Sequence, residues 1–247
     1  LASIADLSQL PLAEFILVSF DDEHHVLLHQ EHHIIHDGWS ANEFTQILIN
    51  QYHAFINKNY LISADTPSQY SHFVLSQKAW LTSDFATSQK SYWTKQLENA
   101  PQGVALFGKK SHTLGFAGSH EKMVFSQAQW QAMESLCSDN GITPFSYTSS
   151  ILYLCLWAYS GETDLTFGSA FANRNWADSH STLGMFVNTV VLRQQIESET
   201  SLKTFLLKTQ SLVDDAQANE ELPFPLVVEA LNPDRNTGSN PFFNVLL

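Results

Sequence analysis

The chain has 247 residues, 12 Lys and Arg against 25 Asp and Glu for a formal net charge of −13, and a hydrophobic fraction of 44%. That length can bury a sizeable core in one large domain or two modest ones, and the acidic balance excludes the basic patch that a nucleic-acid partner needs. Two cysteines, Cys137 and Cys155, exclude a disulfide framework and fit a reducing compartment, so a cytoplasmic location is expected.

Strand composition marks Glu14 to Phe20, a polar turn follows at Asp21-Asp22-Glu23, and His25 to Ile35 reads as the second arm of a β-hairpin. Asp37-Gly38 breaks the pattern. Ser40 with Glu43 three residues on predicts a capped helix start, after which Phe44, Ile47, Leu48, Tyr52, Phe55 and Ile56 share one helical face. Helices are predicted from Thr66-Pro67 and over Asp84 to Leu97. The glycines and Pro101 between Asn99 and Gly118 predict a linker between two lobes. Beyond it the spacing predicts a short strand at Glu121 to Phe125, then a helix from Ser126 that Gly141 stops. A buried helix from Pro144, strands at Asp164 to Ala172 and Met185 to Ile196, and an amphipathic helix from Leu202 to Val213 follow. The class is therefore α/β or α+β. The longest apolar run, Ile151 to Tyr159, is nine residues and too short to span a bilayer, so no membrane partner is expected. No charged segment precedes an apolar stretch at Leu1, and no secretory leader is expected. Phe242 to Leu247 reads as the middle of a strand, and the chain is expected to be a piece of something longer.

Six of the eleven histidines lie between His24 and His36. As metal ligands, the pairs His29/His33 and His32/His36 would need a helix. On a strand, four residues span about 13 Å, too far for one zinc ion. As surface or satisfied residues they need no function, which suits His24, His25 and His29. As a catalytic device, a strand would point His32 and His33 to opposite faces, and Asp37 could fix the loop or orient an imidazole while Gly38 permits a tight turn. No Gly-x-Ser-x-Gly elbow, phosphate-binding glycine loop or cysteine pair at metal spacing competes. Cys137 and Cys155 are expected to be buried and inert.

His32-His33-Ile34-Ile35-His36-Asp37-Gly38 with Trp39-Ser40 resembles the HHxxxDG motif of condensation domains of non-ribosomal peptide synthetases. Further stretches resemble the same family in the family's order: Tyr70-Ser71-His72-Phe73, Tyr92-Trp93 with Leu97, Leu183-Gly184-Met185-Phe186-Val187-Asn188-Thr189 ending at Leu192-Arg193, Asn219 to Phe224, and Arg235 to Pro241. The resemblance implies two chloramphenicol acetyltransferase-like lobes arranged as a V. Residues 1–100 would be the end of the first lobe, 101–120 the linker, and 121–247 a second lobe truncated at its end. It implies an acyltransferase that forms an amide between a donor acyl or peptidyl thioester and the amine of an acceptor aminoacyl thioester. Both would ride on phosphopantetheine arms of carrier domains, beside an adenylation domain, with no cofactor or metal bound by the domain itself.

His33, the second histidine, would stand at the reacting centre, supported by His32, Asp37 and Gly38, with Asn188, Trp39 and Ser40 as candidate contacts to substrate or active site. Arg174 and Arg193 look structural. Two departures stand out: no upstream R-H-x-x-L-R-T region exists to supply an arginine to Asp37, so its partner is expected outside the chain or of another kind, and Pro225 stands where the family usually has Glu. An epimerization domain, a stand-alone acyltransferase and a non-catalytic carrier-docking lobe are the competing readings. The Asp37-Gly38-Trp39-Ser40 run favours condensation over epimerization.

Overall fold

Strand β1 (Ala13–Ser19) pairs antiparallel with β2 (His25–Glu31), placing Phe15 opposite His29 and Val18 opposite Val26. Asp21 makes the turn: its Oδ1 accepts from the backbone N–H of Glu23 at 2.9 Å and of His24 at 2.8 Å, the local side-chain bond that lets aspartate replace a backbone turn. The computed structural model describes residues 6–58, 68–106, 118–233 and 240–247. The chain forms two compact units, Leu1–Thr82 with Ala172–Val187, and Ser83–Phe171 with Asn188–Leu247.

In the first unit the hairpin is followed by a 3-10 turn (His33–Ile35), α1 (Gly38–Ile56) and α2 (Tyr70–Trp80). The predicted second strand ends at Glu31 and not at Ile35. His32 takes over the chain direction, because its Nδ1 accepts from the Ile34 N–H at 3.1 Å and its carbonyl from the Ile35 N–H at 3.1 Å. A side chain that bonds its own backbone two residues on competes with the strand ladder. The predicted cap of α1 also moves: Asp37, not Ser40, is the N-cap. The apolar face of α1 exists as predicted, yet Ile47, Tyr52, Phe55 and Ile56 are all exposed. The Thr66-Pro67 helix start lies outside the described residues.

The second unit contains α3 (Asp84–Gln96), α4 (Gln127–Asn140), α5 (Pro144–Ser160), β3 (Asp164–Phe171), β4 (Asn188–Gln195), α6 (Leu202–Gln217) and α7 (Phe224–Leu231). Ser126 and Gln129 cap α4 reciprocally and Gly141 ends it at φ +65°, as the punctuation predicts. β3 and β4 pair antiparallel from Asp164–Gln195 to Phe171–Asn188, and Leu165, Phe167, Val191 and Leu192 form a near-continuous buried run. Gly168 is required there, since a Cβ would lie 2.7 Å from the Phe243 ring; its backbone bridges Leu246 in parallel.

Three expectations in this unit fail. Glu121 to Phe125 forms no strand, and Met123, Val124 and Phe125 are exposed. α5 buries one face only: Tyr153 and Leu156 are inside, while Trp157 and Tyr159 are exposed, and so is Cys155, although Cys137 is buried. β4 begins at Asn188, because Met185 and Phe186 bond to side chains instead of a ladder. Residues 107–117 of the predicted linker and 235–239 of the Arg235 to Pro241 motif lie outside the described residues. No helix among the described residues is long and apolar enough to cross a membrane.

Candidate functional site

The histidine-rich turn stands on a buried polar knot in the first unit. Asp37 is 2% exposed and both its oxygens are occupied. Oδ1 accepts from the Ser40 N–H at 2.8 Å and from Arg174 Nη2 at 2.8 Å; Oδ2 accepts from the Phe186 N–H at 3.0 Å and from Arg174 Nη2 at 3.1 Å. An aspartate at the N-cap satisfies an orphan N–H and places negative charge at the positive end of the helix. Burial pushes the Asp37 carboxyl up, but the bonds from the Ser40 and Phe186 N–H groups, the neighbouring Ser40 hydroxyl and Arg174 together outweigh it. They hold the carboxyl below the ordinary carboxylate value.

Arg174 is the partner of Asp37, expected outside the chain or of another kind: it lies within the chain, 137 positions on. It is buried, donates through Nη1 to the Ser179 and Thr182 carbonyls and through Nη2 to Asp37 and the Ser40 hydroxyl, and lies 4.3 Å from the centre of the Phe186 ring. Ser40 closes the knot. Its hydroxyl donates to the Gly184 carbonyl at 2.8 Å and accepts from the Gly184 N–H at 3.0 Å and Arg174 at 2.7 Å. One donor and two lone pairs are all a hydroxyl has, so none remains for a substrate. Trp39 likewise packs: its indole N–H donates to the His180 carbonyl at 3.0 Å and its ring meets the His180 ring edge-on at 5.3 Å.

Gly184 and Tyr70 explain two further motif stretches. A Cβ at Gly184 would collide with the Tyr70 ring, and the Tyr70 hydroxyl donates to the Met185 carbonyl at 2.6 Å. Gly38, by contrast, has open space around a Cβ and does not occupy the left-handed region, so the tight turn expected of it is not its role.

On this base the two adjacent histidines divide. The His32 ring is tied into its own turn, whereas His33 is exposed on the 3-10 turn and, among the described residues, makes no side-chain hydrogen bond and one ring contact, edge-on with His36 at 5.1 Å. The opposite-face arrangement expected of a strand does not arise, because the two rings stand at a 3-10 turn and neither is buried. His29 stacks on Phe15 at 4.5 Å and His24 binds Asp21, which are structural roles. Among the described residues no three His, Cys, Asp or Glu side chains gather as metal ligands would.

Asn188 belongs to the second unit and is a clamp. Its amide donates to the Glu220 and Leu222 carbonyls at 2.8 and 2.7 Å, and its carbonyl accepts from the Phe224 N–H at 3.0 Å. It thereby fixes the entry to α7 and joins two of the motif stretches noted in the sequence. Pro225 lies within the first turn of α7, where a missing N–H costs nothing. Asn188→Ala leaves two carbonyls and one N–H without that partner, and is expected to destabilise the intact protein by about 2–3 kcal/mol in chemical denaturation; a loss below about 0.5 kcal/mol would contradict the clamp. Trp93, whose indole donates to the Asn219 carbonyl at 2.8 Å, holds the same segment, and Arg193 ties Asp164 to the Gln96 and Glu98 carbonyls.

A family model described as Condensation domain matches residues 1–247. Identity is 30% to malpibaldin synthetase and 31% to malpinin synthetase, both of Mortierella alpina, each over 98% of this chain but only 4% and 3% of those proteins. Among solved structures, a four-domain nonribosomal peptide synthetase bound to AMP and glycine superimposes with a TM-score of 0.82 at 23% identity, covering 98% of this chain and 18% of that one. The first condensation domain of the calcium-dependent antibiotic synthetase gives 0.75 at 19% identity, covering 89% of this chain and 49% of that one. These likenesses establish the fold, the mixed α/β class expected from the sequence. The chain spans a small part of the curated relatives and about half of the solved condensation domain.

Proposed function

Because the chain belongs to the condensation-domain family of non-ribosomal peptide synthetases, we propose that it supplies the histidine of a centre that forms amide bonds between two carrier-bound substrates. The observation that carries the reading is His33: an exposed imidazole on a turn whose base is immobilised by the Asp37–Arg174 pair. In the proposed reaction the amine nitrogen of an acceptor aminoacyl thioester attacks the carbonyl carbon of the donor thioester. The C–N bond forms, the C–S bond breaks, the departing phosphopantetheine sulfur ends as a thiol, and the amine proton passes through His33. An α-amine has a pKa of about 7.7–8.0, so roughly a tenth is neutral at pH 7 and full deprotonation costs only about 1 kcal/mol. Bringing two tethered substrates together and stabilising the oxyanion are the harder tasks, and His33 serves chiefly to place the amine and receive its proton. The donor and acceptor carrier domains are the partners and the phosphopantetheine arms are parts of the substrates. A neighbouring adenylation domain fits this setting.

The test is mass spectrometry of the acceptor carrier after the intact protein meets both loaded carriers. The expected product is a dipeptidyl thioester on the acceptor. An unchanged acceptor, with both carriers bound, would overturn condensation in favour of a docking lobe.

A further inference from the structure

Catalytic imidazoles are commonly steered by a carboxylate or carbonyl on their second nitrogen. Asp37 is the nearest carboxylate to His33 in the sequence motif, and it is already engaged, since both its oxygens face Ser40, Arg174 and Phe186. The structure holds another carboxylate on the imidazole side. Glu31, the last residue of β2, places Oε1 3.1 Å from His36 Nδ1 and Oε2 3.4 Å from His29 Nε2. All three side chains are largely shielded. The two Glu31 contacts are ion-pair contacts and not hydrogen bonds, since His36 Nδ1 is buried without a hydrogen-bond partner among the described residues. His29 is itself wedged against Phe15 and Phe44, with ring centres 4.5 and 5.0 Å away, so Glu31 meets the hairpin and α1 through an ion-pair contact. The His36 ring, set beside Glu31 at one nitrogen, presents to His33 the single ring contact His33 makes among the described residues. A rigid brace reduces the rotamers an exposed imidazole samples and holds it near the reactive geometry.

Building on the proposed function, we propose that Glu31 and His36 are positioning residues for His33: the hairpin carries Glu31, Glu31 pairs with His36 by charge, and His36 sets the direction of the His33 ring. The pattern of the motif constrains neither residue, which is why the sequence offers no hint of the chain of contacts. The chain of contacts works through placement, so its loss affects turnover more than binding.

The experiment is single-turnover and steady-state dipeptide formation by the intact protein with loaded carriers, comparing Glu31→Ala, Glu31→Gln, His36→Ala and His33→Ala. Glu31→Ala and His36→Ala are each expected to lower kcat about tenfold, with KM for the acceptor carrier within about twofold of wild type. Glu31→Gln, which keeps the shape of the side chain but removes its charge, is expected to lose as much as Glu31→Ala. In a His33→Ala background, Glu31→Ala has no further effect, as two residues acting through one element are non-additive. Wild-type kcat in Glu31→Ala and His36→Ala alongside a slow His33→Ala would overturn the brace while leaving the condensation reading intact. A further loss from Glu31→Ala on top of His33→Ala would overturn it too, by showing that Glu31 serves the fold alone. If His33→Ala itself kept the wild-type rate, the function reading would fail first. Should Glu31→Ala not fold, Glu31→Gln and the His36→Ala/His33→Ala pair decide the same question.

Discussion

Asp37→Ala is expected to destabilise the intact protein by about 3–5 kcal/mol, the cost of removing one partner of a buried ion pair. The size follows from what remains. Arg174, 3% exposed, keeps its charge and loses its counter-ion; its Ser179 and Thr182 contacts are neutral carbonyls. The Phe186 N–H loses its acceptor, and α1 loses its cap. Chemical denaturation measures the loss, and a change below about 1 kcal/mol would contradict the geometry. Asp37→Ala with Arg174→Met should recover part of it, because an apolar pair no longer buries a lone charge. The pair also sets an acid limit. The Asp37 carboxyl is held below its ordinary value in the folded state, so its contribution is fully present above the unfolded-state value of about 3.9 and is lost as pH falls through the lower folded value. The stability gap between wild type and Asp37→Asn should therefore be constant near neutrality and narrow once the pH drops below about 4.

What the sequence revealed and what it hid divide along one physical line. Local punctuation was readable: Ser126 with Gln129 and the αL Gly141 bound α4 because capping depends on residues within one turn. The motif residues were readable by resemblance, and the mixed α/β class followed from the alternation of strands and helices. Long-range pairing was not. Arg174 stands 137 positions from Asp37, and no periodicity links them; only the folded return of Ala172–Val187 brings the guanidinium to the carboxylate. Competition between local options was also misread. Ile34-Ile35 favours a strand by composition, yet His32 bonds the Ile34 N–H and turns the chain. Ser40 with Glu43 has the form of a capping box, yet the Ser40 hydroxyl is needed at Gly184, and Asp37 caps the helix in its place. Glu121 to Phe125 carries strand residues but finds no partner among the described residues, and composition alone forms no ladder.

Under the proposed function, His33→Ala is expected to lower condensation turnover about 100-fold, the lower end of the range for a positioned acid–base group, while folding stability stays within about 0.5 kcal/mol of wild type. Stability is spared because the ring is exposed and, among the described residues, makes a single ring contact, with His36. His32→Ala makes the contrast: it deletes the acceptor for the Ile34 N–H, should cost about 1 kcal/mol of stability as cap removals do, and slows turnover by loosening the turn that carries His33. The loss in His33→Ala is bounded because a tenth or so of the acceptor amine is already neutral at pH 7. Its size should therefore depend on pH. As pH rises from 7 towards 9 the neutral fraction climbs by nearly tenfold, and the deficit of His33→Ala relative to wild type narrows. Measured as carrier-bound dipeptide per unit time, a narrowing deficit identifies His33 as the group that receives the amine proton. A deficit unchanged across that range would assign it to placement of the amine alone, and turnover within twofold of wild type at pH 7 would remove His33 from the reaction.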